Sequence, residues 1–151
     1  MTPEDTRRAV RTENLSKIYQ QEAEEVQAVR DVSLTIQPGE FAALAGPSGS
    51  GKTTLLNVIG GLTRPTHGQV WVGDQELSEL PNCALARLRL DQVGFVFQDH
   101  LLLPQCTVLE NVLVPTLVGD GEGDVTEWTR DLLDRVGLAD RLDHRPGELS
   151  G

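Results

Sequence analysis

Phe41-Ala-Ala-Leu-Ala-Gly46-Pro47-Ser48-Gly49-Ser50-Gly51-Lys52-Thr53-Thr54-Leu55-Leu56 reads as a short apolar strand, a glycine-rich turn and the opening of a helix. Gly46, Gly51, Lys52 and Thr53 fit the G-x-x-x-x-G-K-[ST] phosphate-binding pattern. Each residue type has a physical task. Glycines at 46, 49 and 51 let the backbone adopt conformations that a Cβ forbids, so that N–H groups close on phosphate oxygens. The helix opening near Lys52 adds unpaired N–H donors and the positive end of its macrodipole. Lys52 is expected to reach the β- and γ-phosphates, Thr53 to ligate Mg²⁺ through its hydroxyl, and Thr54 to donate to the α-phosphate. Pro47, Ser48 and Ser50 complete the cradle.

The surrounding composition is that of an ordinary globular chain. Its 151 residues are enough for one domain, with 38% hydrophobic and 24% charged residues. A formal net charge of −10 argues against a nucleic-acid surface and against docking on anionic lipid. A polyanionic ligand stays possible, because local N–H groups and one lysine outweigh a diffuse field screened within about 10 Å. Cys83 and Cys106 form no C-x-x-C pair, so reduced structural thiols and a cytosolic setting are expected. No run approaches the ~20 apolar residues of a membrane span, so any work at a membrane is expected to go through a partner.

Taken in order, residues 1–6 read as loose. Ala9 to Tyr19 and Glu25 to Ile36 carry β-branched residues with partial alternation and predict an antiparallel pair joined by a turn over Gln20 to Glu24. Phe41 to Ala45, unbroken and apolar, suits a strand buried on both faces of a parallel sheet. A helix is expected from Lys52 to about Leu62, a strand over Gln69 to Gly73, a helix from Pro81 to about Leu90 and a second apolar strand over Val93 to Phe97. Thr107 with Glu110 spells a capping box for a helix from Val108 to about Val118. Residues 119–124 read as a loop, and Thr126 to Val136 as an amphipathic helix with Trp128, Leu132 and Val136 in the core. His67, His100 and His144 read as surface or locally satisfied histidines.

The spacing of these pieces resembles the ATP-binding-cassette ATPases. Val93-Gly-Phe-Val-Phe-Gln98 is similar to that family's Q-loop, and Leu149-Ser150-Gly151 to the opening of its signature sequence. Tyr19 matches the aromatic residue that stacks on adenine. Leu102-Leu103-Pro104 and Thr107-Val-Leu-Glu110-Asn111-Val112 are similar to the branch serving lipoprotein release, macrolide export and antimicrobial-peptide export. The resemblance implies an α/β phosphate-loop core with an antiparallel β portion ahead of it, over about residues 8–97. A helical subdomain over about 98–148 follows, with the signature starting at 149–151. It implies ATP and Mg²⁺ as ligands, with Tyr19 stacked on adenine and Gln98 touching Mg²⁺ and the attacking water. Ser150 and Gly151 would meet the γ-phosphate of a nucleotide held by a second ATPase subunit, head to tail. Membrane-spanning transporter subunits would hold the protein at the inner face of the membrane.

The family's domain continues past the signature into an apolar strand ending in Asp-Glu and then a switch histidine, and neither follows here. The chain is therefore expected to place a γ-phosphate without orienting water, to be a truncated form of a longer ATPase, and to expose apolar edges where that strand would lie. Two alternatives stay open. A compact nucleotidase or kinase would hold Mg²⁺ on Asp99, which leaves Tyr19 and Leu149 to Gly151 without a role; a half-domain would bind ATP without turning it over.

Overall fold

The computed structural model describes residues 9–21, 24–98, 101–118 and 125–149. The expected loop over 119–124, the loose N-terminal stretch, Asp99, His100, Ser150 and Gly151 lie outside them. The chain divides into two compact units, residues up to Val93 and residues from Gly94 onward.

The first unit is built on an antiparallel sheet. Strands β1 (Val10–Gln21) and β2 (Glu24–Ile36) form the expected hairpin, longer than anticipated at the turn. β3 (His67–Val72) pairs with the other edge of β1, and a short β4 (Gln75–Glu76) closes the order β2-β1-β3-β4. The β1–β2 ladder slips register between Thr12 and Leu15 and again around Lys17, where Asn14 and Asp31 take positive φ. Donors freed at the slips are taken up by hydroxyls: Asn14 N–H donates to Ser33 Oγ (2.9 Å) and Asp31 N–H to Ser16 Oγ (2.9 Å). Buried Thr12 does the same for the partner strand, donating to the Val32 carbonyl (2.9 Å) and accepting from Leu34 N–H (3.1 Å).

Helix α1 (Lys52–Ile59) lays Leu55 and Val58 on this sheet, and α2 (Asn82–Gln92) adds Leu85 and Leu88. With Leu15, Val29, Val70 and Leu77 they form one apolar core. At about 25 cal/mol per Å² of apolar surface, burying each such side chain stabilises by roughly 1.5–3 kcal/mol before chain entropy is counted. α1 stops at Ile59 rather than Leu62 because Gly60 and Gly61 follow.

In the second unit, α3 (Val108–Leu113) runs on into a tight 3-10 stretch, Val114–Val118, and α4 spans Val125–Arg135. The expected single helix to Val118 tightens at Pro115, whose ring cannot sit in an α-helical interior. In α4 the buried positions are Thr129 and Leu133, not the expected stripe: Leu132 is half-buried, and Trp128 and Val136 are exposed.

The two expected inner strands are not strands. Residues 41–47 and 93–97 have no ladder partner among the described residues. Phe41 is 94% exposed, and Val96 is fully exposed. The apolar exposure expected here is present, without the extended pairing that an apolar run needs before it counts as a strand.

Candidate functional site

The phosphate loop folds through local chemistry. Ser48 and Gly49 make a turn in which Ser50 N–H donates to the Pro47 carbonyl (3.4 Å). Gly49 and Gly51 take φ of +77° and +87°, and Gly51 is the residue from which α1 springs. The two glycines differ in their surroundings. A Cβ at Gly49 meets nothing, whereas one at Gly51 collides with the Ala28 carbonyl of β2. Gly51 is therefore the point where the loop docks on the sheet, and no side chain fits there.

From Gly51 onward α1 opens with no side-chain cap and no acidic residue in its first turn. Its first N–H groups have no helical acceptor by construction, so the end of the helix is a polar, electropositive socket. Thr53 presents its exposed side chain on that turn and Thr54 a half-buried one. Lys52 folds back over the loop: its ammonium donates to the carbonyls of Gly46 (2.9 Å) and Pro47 (2.5 Å) and to Ser50 Oγ (3.3 Å). The cation is held above the backbone that surrounds the socket. An open cleft of about 520 Å³ adjoins the loop, and Ala28, Val29, Leu44, Gly46, Lys52 and Leu55 are among the residues that line it. That is within the range of small-ligand sites.

These residues fit a nucleotide's phosphates. Helix N–H donors, a mobile ammonium and the absence of a competing carboxylate in the turn are what a polyanion requires. No group of three or more His, Cys, Asp or Glu among the described residues could hold a metal by itself. Thr53, exposed on the first turn of α1, is a hydroxyl that could be offered to Mg²⁺ alongside phosphate oxygens.

Tyr19 stands near the far end of β1, paired with Val26 of β2, two residues from the Ala28 carbonyl on which Gly51 docks. The tyrosine is 38% exposed, leaving ring surface for a ligand. Tyr19 and residues 46–54 thus share the first unit. Gln98 is exposed and belongs to the second unit.

Three side chains that organise these surroundings were not singled out from the sequence. Arg64 donates to the carbonyls of Ser78 (3.0 Å) and Leu80 and to Asn82 Oδ1 (3.1 Å), fixing the segment after α1. Thr66 binds β1 with both its backbone and its hydroxyl. In the second unit Asn111 donates to the carbonyls of Leu103 (3.1 Å), Cys106 (3.1 Å) and Thr107 (2.9 Å) and accepts from Leu103 N–H (2.8 Å). One amide thereby sets the loop that leads into α3. No periodicity marks such residues; a polar side chain beside a loop is the single cue.

The family model for the ABC transporter matches residues 29–151. The chain is 45% identical over 139 residues to the lipoprotein-releasing system ATP-binding protein LolD of Saccharophagus degradans, covering 91% of this chain and 61% of that protein. The LolD of Geobacter metallireducens is 47% identical over 139 residues, with 91% and 62% covered. Among solved structures, the dimeric post-hydrolysis state of the ATP-binding cassette MJ0796 bound to ADP and Pi superposes with a TM-score of 0.84 at 37% identity. That match covers 93% of this chain and 63% of the other. The chain thus spans a little over three fifths of the length of these relatives. Its antiparallel sheet and helices are part of the cassette fold.

Proposed function

Because this chain belongs to the ABC transporter family, we propose that it is the nucleotide-gripping part of a transporter's ATP-binding subunit, of the kind that drives lipoprotein release. The observation that carries the reading is the uncapped start of α1 behind Gly51, with the Lys52 ammonium held over the loop and no acidic side chain in the turn. Main-chain donors of the loop and of α1 take the phosphates. Lys52 exchanges its loop carbonyls for phosphate oxygens, and Gly46, Pro47, Ser48, Gly49 and Ser50 shape the cradle. Thr53 holds Mg²⁺, which when bound neutralises phosphate charge, and Thr54 steadies the α-phosphate. Tyr19 stacks on the adenine, an aromatic contact on the half-open ring.

Gln98 senses the metal and the attacking water, while Ser150 and Gly151 reach the nucleotide of a second subunit, placed head to tail. The relatives support this assembly: one is a lipoprotein-releasing ATP-binding protein and another a dimeric cassette bound to ADP and Pi. Membrane-spanning subunits would hold the pair at the inner face of the membrane. Calorimetry with Mg-ATP tests the core of the proposal. Binding is expected, and Lys52→Ala should weaken it by about 2–3 kcal/mol, roughly 30- to 150-fold, the value of charge-assisted hydrogen bonds to phosphate. No binding heat from the folded, unmutated chain would defeat it.

A further inference from the structure

The residue two places before Tyr19 has a feature that its position on a strand does not require. The Lys17 ammonium lies over the Tyr19 ring, 5.0 Å from its centroid, and donates to the Arg64 carbonyl (2.8 Å). Arg64 is itself fixed by three acceptors, the carbonyls of Ser78 and Leu80 and the Asn82 side chain. The lysine's head group is thus anchored to an anchored residue, and its charge is held against one face of the ring.

Tethering the segment after α1 does not explain this, because Thr66 already ties that segment to β1. Its N–H donates to the Ser16 carbonyl (2.8 Å), its hydroxyl accepts from Ile18 N–H (3.0 Å), and the same hydroxyl donates to the Ile18 carbonyl (3.3 Å). A neutral side chain at position 17 would leave those bonds in place. What only a cation adds is attraction to the ring's negative face.

We infer that Lys17 is a positioning residue for the nucleotide base: it occupies and polarises one face of Tyr19, so the ring is held still and the opposite face alone receives adenine. The inference rests on the reading of Tyr19 as the adenine-stacking residue. It explains how a ring on a strand end that is otherwise exposed can be ready before the ligand arrives. It also makes β1, with no loop residue of its own in the phosphate cradle, the element that chooses on which side the base lies.

The role is separable from charge attraction to phosphates by comparing Mg-ATP with Mg-tripolyphosphate, which lacks base and ribose. Lys17→Met should weaken Mg-ATP about two- to fivefold, the scale of a partly exposed cation–ring contact, and leave tripolyphosphate unchanged. Lys17→Gln, which keeps a donor for the Arg64 carbonyl without the charge, should behave like the methionine variant, and Lys17→Arg should restore binding. Melting curves of each variant report whether the fold is kept. Equal weakening of both ligands, no weakening of either, or wild-type behaviour of Lys17→Gln would overturn the inference. Tyr19→Ala separates its failure from that of the reading beneath it. If that variant leaves the ratio of the two affinities unchanged, the adenine platform falls and Lys17 with it. If it shifts the ratio while Lys17→Met does not, Lys17 alone falls.

Discussion

Two helices of this molecule begin in opposite ways. α3 closes its own start: Thr107 Oγ1 accepts from Glu110 N–H (3.2 Å), and Glu110 Oε2 accepts from Thr107 N–H (2.7 Å). α1 starts from a left-handed glycine, with no capping side chain and nothing acidic in its first turn. The backbone donors are the same at both ends; what differs is who satisfies them. A capped start is finished when the chain folds, and it serves stability. An open start is incomplete until an anion arrives, so the stability withheld there is available as binding energy. Seen this way, Gly51 is less a turn residue than the omission of a cap.

The sharpest way to break the contrast is to write the arrangement of α3 into α1. Thr54 occupies the place relative to Gly51 that Glu110 occupies relative to Thr107, so T54E sets a carboxylate beside the open donors. One extra negative charge about 5 Å from phosphate at an effective dielectric near 20 costs roughly 3 kcal/mol. Mg-ATP affinity should fall about 150-fold in calorimetry, while the melting temperature holds or rises.

Next in size is Gly51→Ala. It meets both left-handed strain and the Ala28 carbonyl, whereas Gly49→Ala meets strain alone because nothing lies near. Denaturant titrations should show the first losing more than the ~1–2 kcal/mol of a left-handed non-glycine residue, and the second no more than that. Smaller again is Thr107→Ala, which uncaps α3 and should cost about 1 kcal/mol of stability. Nucleotide affinity should not change. Equal losses from the two glycine variants, or an affinity change on uncapping α3, would dissolve the distinction between the two helix starts.

Both helix starts were legible in the sequence because their determinants are local. A glycine pattern ahead of Lys52 and a threonine three residues ahead of Glu110 specify geometry with no help from the rest of the chain. The β1–β2 hairpin was legible for a similar reason, its two halves being neighbours in sequence. Phe41 to Ala45 and Val93 to Phe97 were misread because an apolar run states a demand for burial and says nothing of whether a neighbouring strand supplies it. In α4 the misreading was one of face. Trp128, Leu132 and Val136 have helical spacing, but Thr129 and Leu133 form a second stripe, to which the threonine contributes a methyl group. The polar clamps of Arg64, Thr66 and Asn111 act on carbonyls and amides whose positions only the folded chain fixes; Thr66 reaches a residue 48 positions away.

The smallest effect isolates the charge in the closed start. Glu110 sits below its ordinary pKa of 4.5 because the Thr107 backbone N–H and then the Thr107 hydroxyl favour its ionised form, with Arg145 adding a weaker attraction. A carboxyl group with a depressed folded-state pKa binds its proton more readily in the unfolded chain. Its stabilising contribution is therefore complete above the unfolded value and is lost as the pH falls through the lower folded value. Many other carboxylates titrate in the same window, so the informative quantity is the difference between the unmutated chain and Glu110→Gln. The glutamine keeps an acceptor for the Thr107 N–H but has no charge to lose. Urea unfolding between neutral pH and pH values below the ordinary carboxylate range should show the unmutated chain more stable at neutrality and the two converging as acid is added. A gap that widened on acidification would mean that the neutral hydrogen bond, not the ionised one, closes α3. The helix would then be capped by shape alone, and the electrostatic half of its contrast with α1 would be gone.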